Sequence, residues 1–191
     1  MNNSNSISRE NLRALVETAL LVAVGFVLSW IKLLSLPQGG SVTPLAMLPI
    51  LIIGLRHGLK WGLLGGLLYS VLQMLQQFWP PPSGTVPAFI SVIMLDYVLA
   101  FSVLGLSGLF RGKQNGIIYA APICIFLRFI CHFISGIVIW GVYAGDQAVW
   151  LFSLIYNGSY MGLELVFTTI VSVILCKAAP ILFKSQAVNN A

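Results

Sequence analysis

The chain has 191 residues, of which 58% are hydrophobic and only 8% charged, with a formal net charge of +5. A soluble domain carries charge on roughly a quarter of its residues, so this composition, with mean hydropathy +0.94, excludes a water-exposed globular surface and points to an integral membrane protein. The basic excess does not point to nucleic acid, because Lys and Arg stand singly between apolar runs instead of gathering in a patch.

Met1 to Asn11 is polar, rich in Asn and Ser, and is expected to form a frayed, flexible cytoplasmic start. Leu12 to Leu34 is the first apolar run. It exceeds a signal-peptide core and lacks a small-residue cleavage site, so it is expected to stay as a helix. Leu36 to Pro44 (LPQGGSVTP) reads as a loop, punctuated by two Pro and two Gly. Leu45 to Leu55 is short for a crossing and reads as a tilted or partly broken span. Leu59 to Leu75 is the third span, with Gly58, Gly62 and Gly66 four apart. Small residues at that spacing let helices approach closely, which signals packing. Phe78 to Pro87 (FWPPPSGTVP) is not helical, because proline removes donors and restricts its neighbours. Ala88 to Phe110, Ile117 to Val142 and Val149 to Cys176 complete the series. The expected fold is a single all-α membrane domain over residues 1–191, six transmembrane helices in one bundle, with no second domain and no internal repeat.

The basic residues orient it. With the N-terminus in the cytoplasm, Arg9, Arg13, Arg56, Lys60, Arg111, Lys113, Lys177 and Lys184 all fall on the cytoplasmic side. Lys32 alone falls near the outside, and Arg128 lies within the membrane. This positive-inside bias puts both termini in the cytoplasm.

The fifth run then carries the chemistry. Arg128, His132, Gly136 and Trp140 repeat every four residues in RFICHFISGIVIW, so they stack along one helix face. Ionisable groups there are costly and face a protein interior or a water-filled cavity. Asp96 lies about nine residues, or ~14 Å, into helix four from the outer side. His132 and Asn157 fall at a similar depth on helices five and six. Tyr97, Tyr143, Phe152, Tyr156 and Tyr160 supply aromatic surface nearby. Convergent polar groups with aromatic walls describe a small-molecule pocket opening outward. A carboxylate among aromatic rings suits an organic cation, and neutral His and Asn add directional hydrogen bonds to a heterocycle. Asp96 needs a partner at that depth, with Arg128 or Lys32 as the candidates, while Glu164 is expected to pair with Arg128. Taken singly, Trp140 reads as an interfacial anchor and His132 as a residue bonded to a backbone carbonyl. Their common depth is what argues for a pocket. Cys124, Cys131 and Cys176 lack metal-ligand spacing and read as small hydrophobes; no metal or cofactor is expected.

ETALLVAVGF in helix one, LPILIIGLRHGLKWGLLGGLL across helices two and three, LDYVLAFSVLGLSGLF in helix four, and RFICHFISGIVIW with LIYNG in helices five and six carry a resemblance spanning nearly the whole chain. It resembles the thiamine-specific substrate-binding subunit, or S-component, of energy-coupling-factor (ECF) vitamin transporters. The resemblance implies six helices, a cytoplasmic N-terminus, and location in a prokaryotic plasma membrane. It implies thiamine as ligand, with an ECF transmembrane coupling subunit and two ABC-type ATPases as partners. Residue by residue, it implies ligand contacts at Asp96 and Tyr97, stacking at His132 and Trp140, a backbone contact at Gly136, and a hydrogen bond from Asn157; Arg128 and Tyr143, by their position beside these, are the other expected ligand-binding residues. The departures are Asp96 where relatives have Glu, Phe152 at an expected Tyr, no Trp in the first external loop, and Arg128 at a Lys position. Asp96 and His132 are expected to act on the ligand and not on each other.

Ala19-x-x-x-Ala23 puts two methyl-sized side chains on one face of helix one. The resemblance implies that such a face docks the shared membrane subunit; internal packing is the other reading. Gly-x-x-x-x-Gly-Lys-Ser/Thr is absent, so ATP hydrolysis is expected on partner subunits. The competing readings are an S-component for another vitamin, an intramembrane enzyme using His132 and Asp96, and a structural anchor.

Overall fold

A computed structural model describes residues 3–185, with side-chain surroundings given from residue 9. Six helices follow one another: α1 (Asn3–Ser29), α2 (Leu48–His57), α3 (Leu59–Gln76), α4 (Val86–Phe110), α5 (Gly116–Val138) and α6 (Val149–Ala178). Among the described residues four helices are long and apolar enough to cross a membrane: Arg9–Ser29, Val86–Phe110, Gly116–Val138 and Val149–Ala178. Of the polar start expected to fray, Met1 and Asn2 lie outside the described residues, and α1 begins at Asn3. α4 is not uniform. Its stretch Ile93–Leu99 winds as a π-helix and Val103–Phe110 as a 3₁₀-helix, and π-turns recur at functional sites.

The run expected at Leu45 to Leu55 becomes α2, displaced to Leu48–His57, and its physical role differs from that of a lipid-facing span. All residues from Leu48 to Leu55 are buried. Ten residues reach ~15 Å, about half a hydrocarbon core, so α2 is apolar because it forms the middle of the bundle. Leu45 enters it through a positive φ of 66°, and Gly58, at φ +90, turns the chain straight into α3. The glycine ladder packs α3 as its spacing predicts. A Cβ on Gly62 would sit 2.5 Å from the Gly105 carbonyl oxygen, and one on Gly66 2.5 Å from that of Phe101. The inner half of α4 therefore lies backbone to backbone against α3.

Between α1 and α2 the expected loop is a hairpin. The first span was expected to run to Leu34, but α1 stops at Ser29, whose hydroxyl turns back to the Phe26 carbonyl at 2.7 Å. The chain then extends into β1 (Leu34–Ser35), which pairs antiparallel with β2 (Ser41–Val42) in the register Leu34 to Val42. A 3₁₀ turn at Pro37–Gly39 makes its tip.

At the opposite end the charges gather. Glu17 of α1 bonds Arg13, Arg56 and His57, each at 2.9 Å. Arg56 also donates to the Ile181 carbonyl after α6 at 3.0 Å, and Arg111 to Ser185 at 2.9 Å. The basic residues assigned to one side thus lie on segments that meet at one end of the bundle.

Candidate ligand-binding site

The hairpin, the C-terminal ends of α1 and α3, and the inward faces of α4, α5 and α6 enclose one cavity. It lies beyond the N-terminal end of α2, where Met47 contributes to its lining. Its volume is about 130 Å³, roughly ten times the room one water needs. A small organic molecule fits there.

Asp96 sits in the π-helical stretch of α4 and faces α5. Ser135 donates to its Oδ2 at 2.7 Å, and the Trp140 indole N–H to the same oxygen at 3.0 Å. His132 Nδ1 lies 3.1 Å from Oδ1. All three come from α5 and the turn that ends it; of the four residues spaced by four in the sequence, His132 and Trp140 reach this carboxylate and Arg128 and Gly136 do not. Neither Arg128 nor Lys32 is its partner. Lys32 bonds Gln77 at 2.7 Å, and Arg128 lies with its guanidinium carbon 4.4 Å from the Phe101 ring centroid and one nitrogen 2.8 Å from Met47 Sδ. The carboxylate is therefore held by a hydroxyl, an indole N–H and an imidazole nitrogen, oriented but without an Arg or Lys counter-charge among the described residues. Asp96 and His132, expected to engage a ligand and not each other, do engage each other. With the proton on Nδ1, His132 leaves Nε2 as an acceptor, and Nε2 is buried without a partner.

The expected Glu164–Arg128 pair does not form. Thr43, just past β2, donates both its backbone N–H and its hydroxyl to Glu164 Oε1, the hydroxyl at 2.9 Å. The loop backbone supplies donors at that spot, so the buried carboxylate anchors the root of the hairpin. Its tip is held by the same helix: the Tyr156 hydroxyl donates to the Pro37 carbonyl and accepts from the Gly40 N–H at 3.0 Å.

Gly136 is required by close approach, since a Cβ there would run into Ser153 and lie 2.9 Å from Asn157 Nδ2. Asn157 donates to the His132 carbonyl at 3.2 Å and accepts from Tyr160 at 3.0 Å, which fixes α6 to α5 at the cavity wall. Trp140 stacks on Tyr143, centroids 6.3 Å apart, and the Tyr97 hydroxyl donates to the Gln77 carbonyl at 2.8 Å. Asp96, Tyr97, Arg128, His132, Gly136, Trp140, Tyr143 and Asn157 all line the one cavity. Ala19 and Ala23 do not. Both are exposed on the outer face of α1, while Ala14, Thr18 and Val22 turn inward, so internal packing does not explain them. Sequence reasoning missed Gln73, Gln76, Gln77 and Trp79, which close the α1–α3 side. The signal was there: three Gln break the apolar run of α3 at its end.

A hydrophobic bundle that holds an oriented carboxylate among aromatic rings belongs to the class of membrane-embedded binding proteins for small organic molecules. The family model described as Thiamine transporter protein (Thia_YuaJ) matches residues 15–184. The thiamine transporter ThiT of Bacillus subtilis is 35% identical over 203 residues, covering 97% of this chain and 99% of that protein. ThiT of Lacticaseibacillus paracasei is 31% identical over 195 residues, covering 93% of each. The solved structure of ThiT from Listeria monocytogenes superimposes with a TM-score of 0.74 at 28% identity, covering 91% of this chain and 98% of that one. The chain belongs to the thiamine transporter protein family, a family of transporters and not of enzymes.

Proposed function

We propose that this protein is the thiamine-binding S-component of an ECF transporter, taking thiamine from the outer side of a prokaryotic plasma membrane. The observation that carries the reading is Asp96: a carboxylate fixed by Ser135, Trp140 and His132 with no Arg or Lys beside it among the described residues, lining a cavity with aromatic walls. Thiamine brings the missing cation on a flat ring. Trp140 and His132 offer ring faces to it, worth ~0.5–2 kcal/mol each when desolvated. His132 Nε2 accepts from its exocyclic amino group, Gly136 and Asn157 lie along its heterocycle, Tyr97 and Tyr143 close the sides, and Arg128 forms part of the wall. α3, and the half-length α2 together with the hairpin that leads into it, complete six crossings, with both termini cytoplasmic, which the gathering of basic residues at one end supports. Ala19 and Ala23 present a flat outer face for the ECF coupling subunit, and two ABC-type ATPases supply the energy.

A ligand bound only by the folded state raises its stability by mass action, by ~2.7 kcal/mol at one hundred times Kd. Thiamine added to the detergent-purified protein is expected to raise its melting temperature in proportion to log concentration. No shift at saturating thiamine, together with a shift from another vitamin, overturns the substrate.

A further inference from the structure

The wall of the cavity formed by the segment after α3 has chemistry of its own. Trp79, from the segment between α3 and α4, lines the cavity, and its indole Nε1 is buried with no partner among the described residues. The ring is firmly set. Its backbone N–H donates to the Tyr97 hydroxyl at 3.2 Å, and that hydroxyl donates in turn to the Gln77 carbonyl at 2.8 Å. Phe78 stacks on Tyr97 with centroids 5.7 Å apart, and Pro80, Pro81 and Pro82 stiffen the backbone that follows. Across from it Gly39 has φ +95, and a Cβ there would run into Trp79 Nε1 and lie 2.5 Å from its Cδ1. The indole therefore rests on the bare backbone of the hairpin tip.

Beside it, Lys32 Nζ donates to the Gln77 side-chain oxygen at 2.7 Å, and both residues line the same cavity. An ammonium has only donors, and a Gln whose oxygen is engaged has its NH₂ left to give. This side of the cavity, built from α1, α3 and the 77–85 segment, thus offers donors. The α4–α5 side offers a carboxylate. A buried donor without an acceptor is costly and calls for a partner.

We infer that Trp79, with Lys32 and Gln77, forms a second subsite that accepts an oxygen carried by the ligand on an arm beyond its cationic ring. The inference rests on the thiamine reading. The hydroxyl of the thiamine hydroxyethyl arm is one source of that oxygen, and the phosphate of a thiamine ester is the other. The indole N–H serves either, and Lys32 adds attraction for the charged one.

The test uses the full-length purified protein and three probes: thiamine, the analogue whose hydroxyethyl arm is an ethyl group, and thiamine monophosphate. Trp79→Phe keeps a ring on Gly39 but removes the donor. It is expected to weaken thiamine about tenfold and to leave the ethyl analogue unchanged. Lys32→Met is expected to weaken the monophosphate at least tenfold more than it weakens thiamine if the phosphate uses this subsite; equal losses assign it to the hydroxyl alone. The inference is overturned if Trp79→Phe leaves thiamine unchanged, or weakens thiamine and the ethyl analogue by the same factor. Failure of the unsubstituted protein to bind any of the three strikes the thiamine reading instead, so the two are told apart.

Discussion

Asp96 concentrates the argument at the scale of single residues. Its two oxygens receive Ser135, Trp140 and His132, so it is both a structural hub and the negative charge of the cavity. Asp96→Asn keeps the shape and removes the charge. It is expected to cost ~2 kcal/mol or more in thiamine affinity, at least tenfold, while an analogue with an uncharged ring binds both forms alike. His132→Ala is expected to cost ~1 kcal/mol or more through lost ring contact. Because the two side chains share a hydrogen bond, the double substitution will fall short of the sum; titration calorimetry on the four proteins measures that shortfall. The stripe of Arg128, His132, Gly136 and Trp140 was legible because helical periodicity depends on sequence alone. Which neighbour each member meets was not. Glu164 and Arg128 have opposite charges and lie on adjacent helices, yet Thr43 reaches Glu164 first, through a loop whose path no periodicity encodes.

Among the elements, the hairpin is the one whose form sequence did not disclose. Strands of two residues are too short to show alternation, and the Pro and Gly of Leu36 to Pro44 are equally at home in a loop. What fixes it is tertiary: Thr43 on Glu164 at the root, Pro37 and Gly40 on Tyr156 at the tip. Both anchors are on α6, so ordering of the hairpin is coupled to that helix. Glu164→Ala leaves the Thr43 N–H without its acceptor and is expected to destabilise the protein by about 2 kcal/mol. Thr43→Val removes only the hydroxyl and is expected to cost about half as much. Dissociation of thiamine, followed by stopped-flow tryptophan fluorescence, is expected to quicken more in Glu164→Ala than in Thr43→Val. Equal rates in all three proteins would mean that the root of the hairpin does not govern ligand retention.

For the whole molecule, composition alone disclosed the membrane, and the basic residues disclosed which segment ends belong together. The place of α2 stayed hidden, because a buried core helix and a lipid-facing span are equally apolar. Ala19 and Ala23, exposed on α1, give the clearest whole-molecule test. Ala19→Trp with Ala23→Trp is expected to leave thiamine binding by the purified protein within about twofold and to abolish uptake in cells. The expected contrast arises because bulk on that face keeps a partner helix away without touching the cavity. Unimpaired uptake at normal expression would place the docking face elsewhere. The ten-residue α2 has a mechanical consequence as well. In the half of the bundle it occupies, glycine-set helices touch backbone to backbone and form a stiff block. In the other half, a hollow and a two-stranded flap stand where a full-length helix would have continued. Stiffness is therefore unevenly shared between the two halves. Thiamine affinity is accordingly expected to change with acyl-chain length when the unsubstituted protein is measured in bilayers of different thickness, and equal affinities in all of them would mean that the hollow half is as rigid as the block.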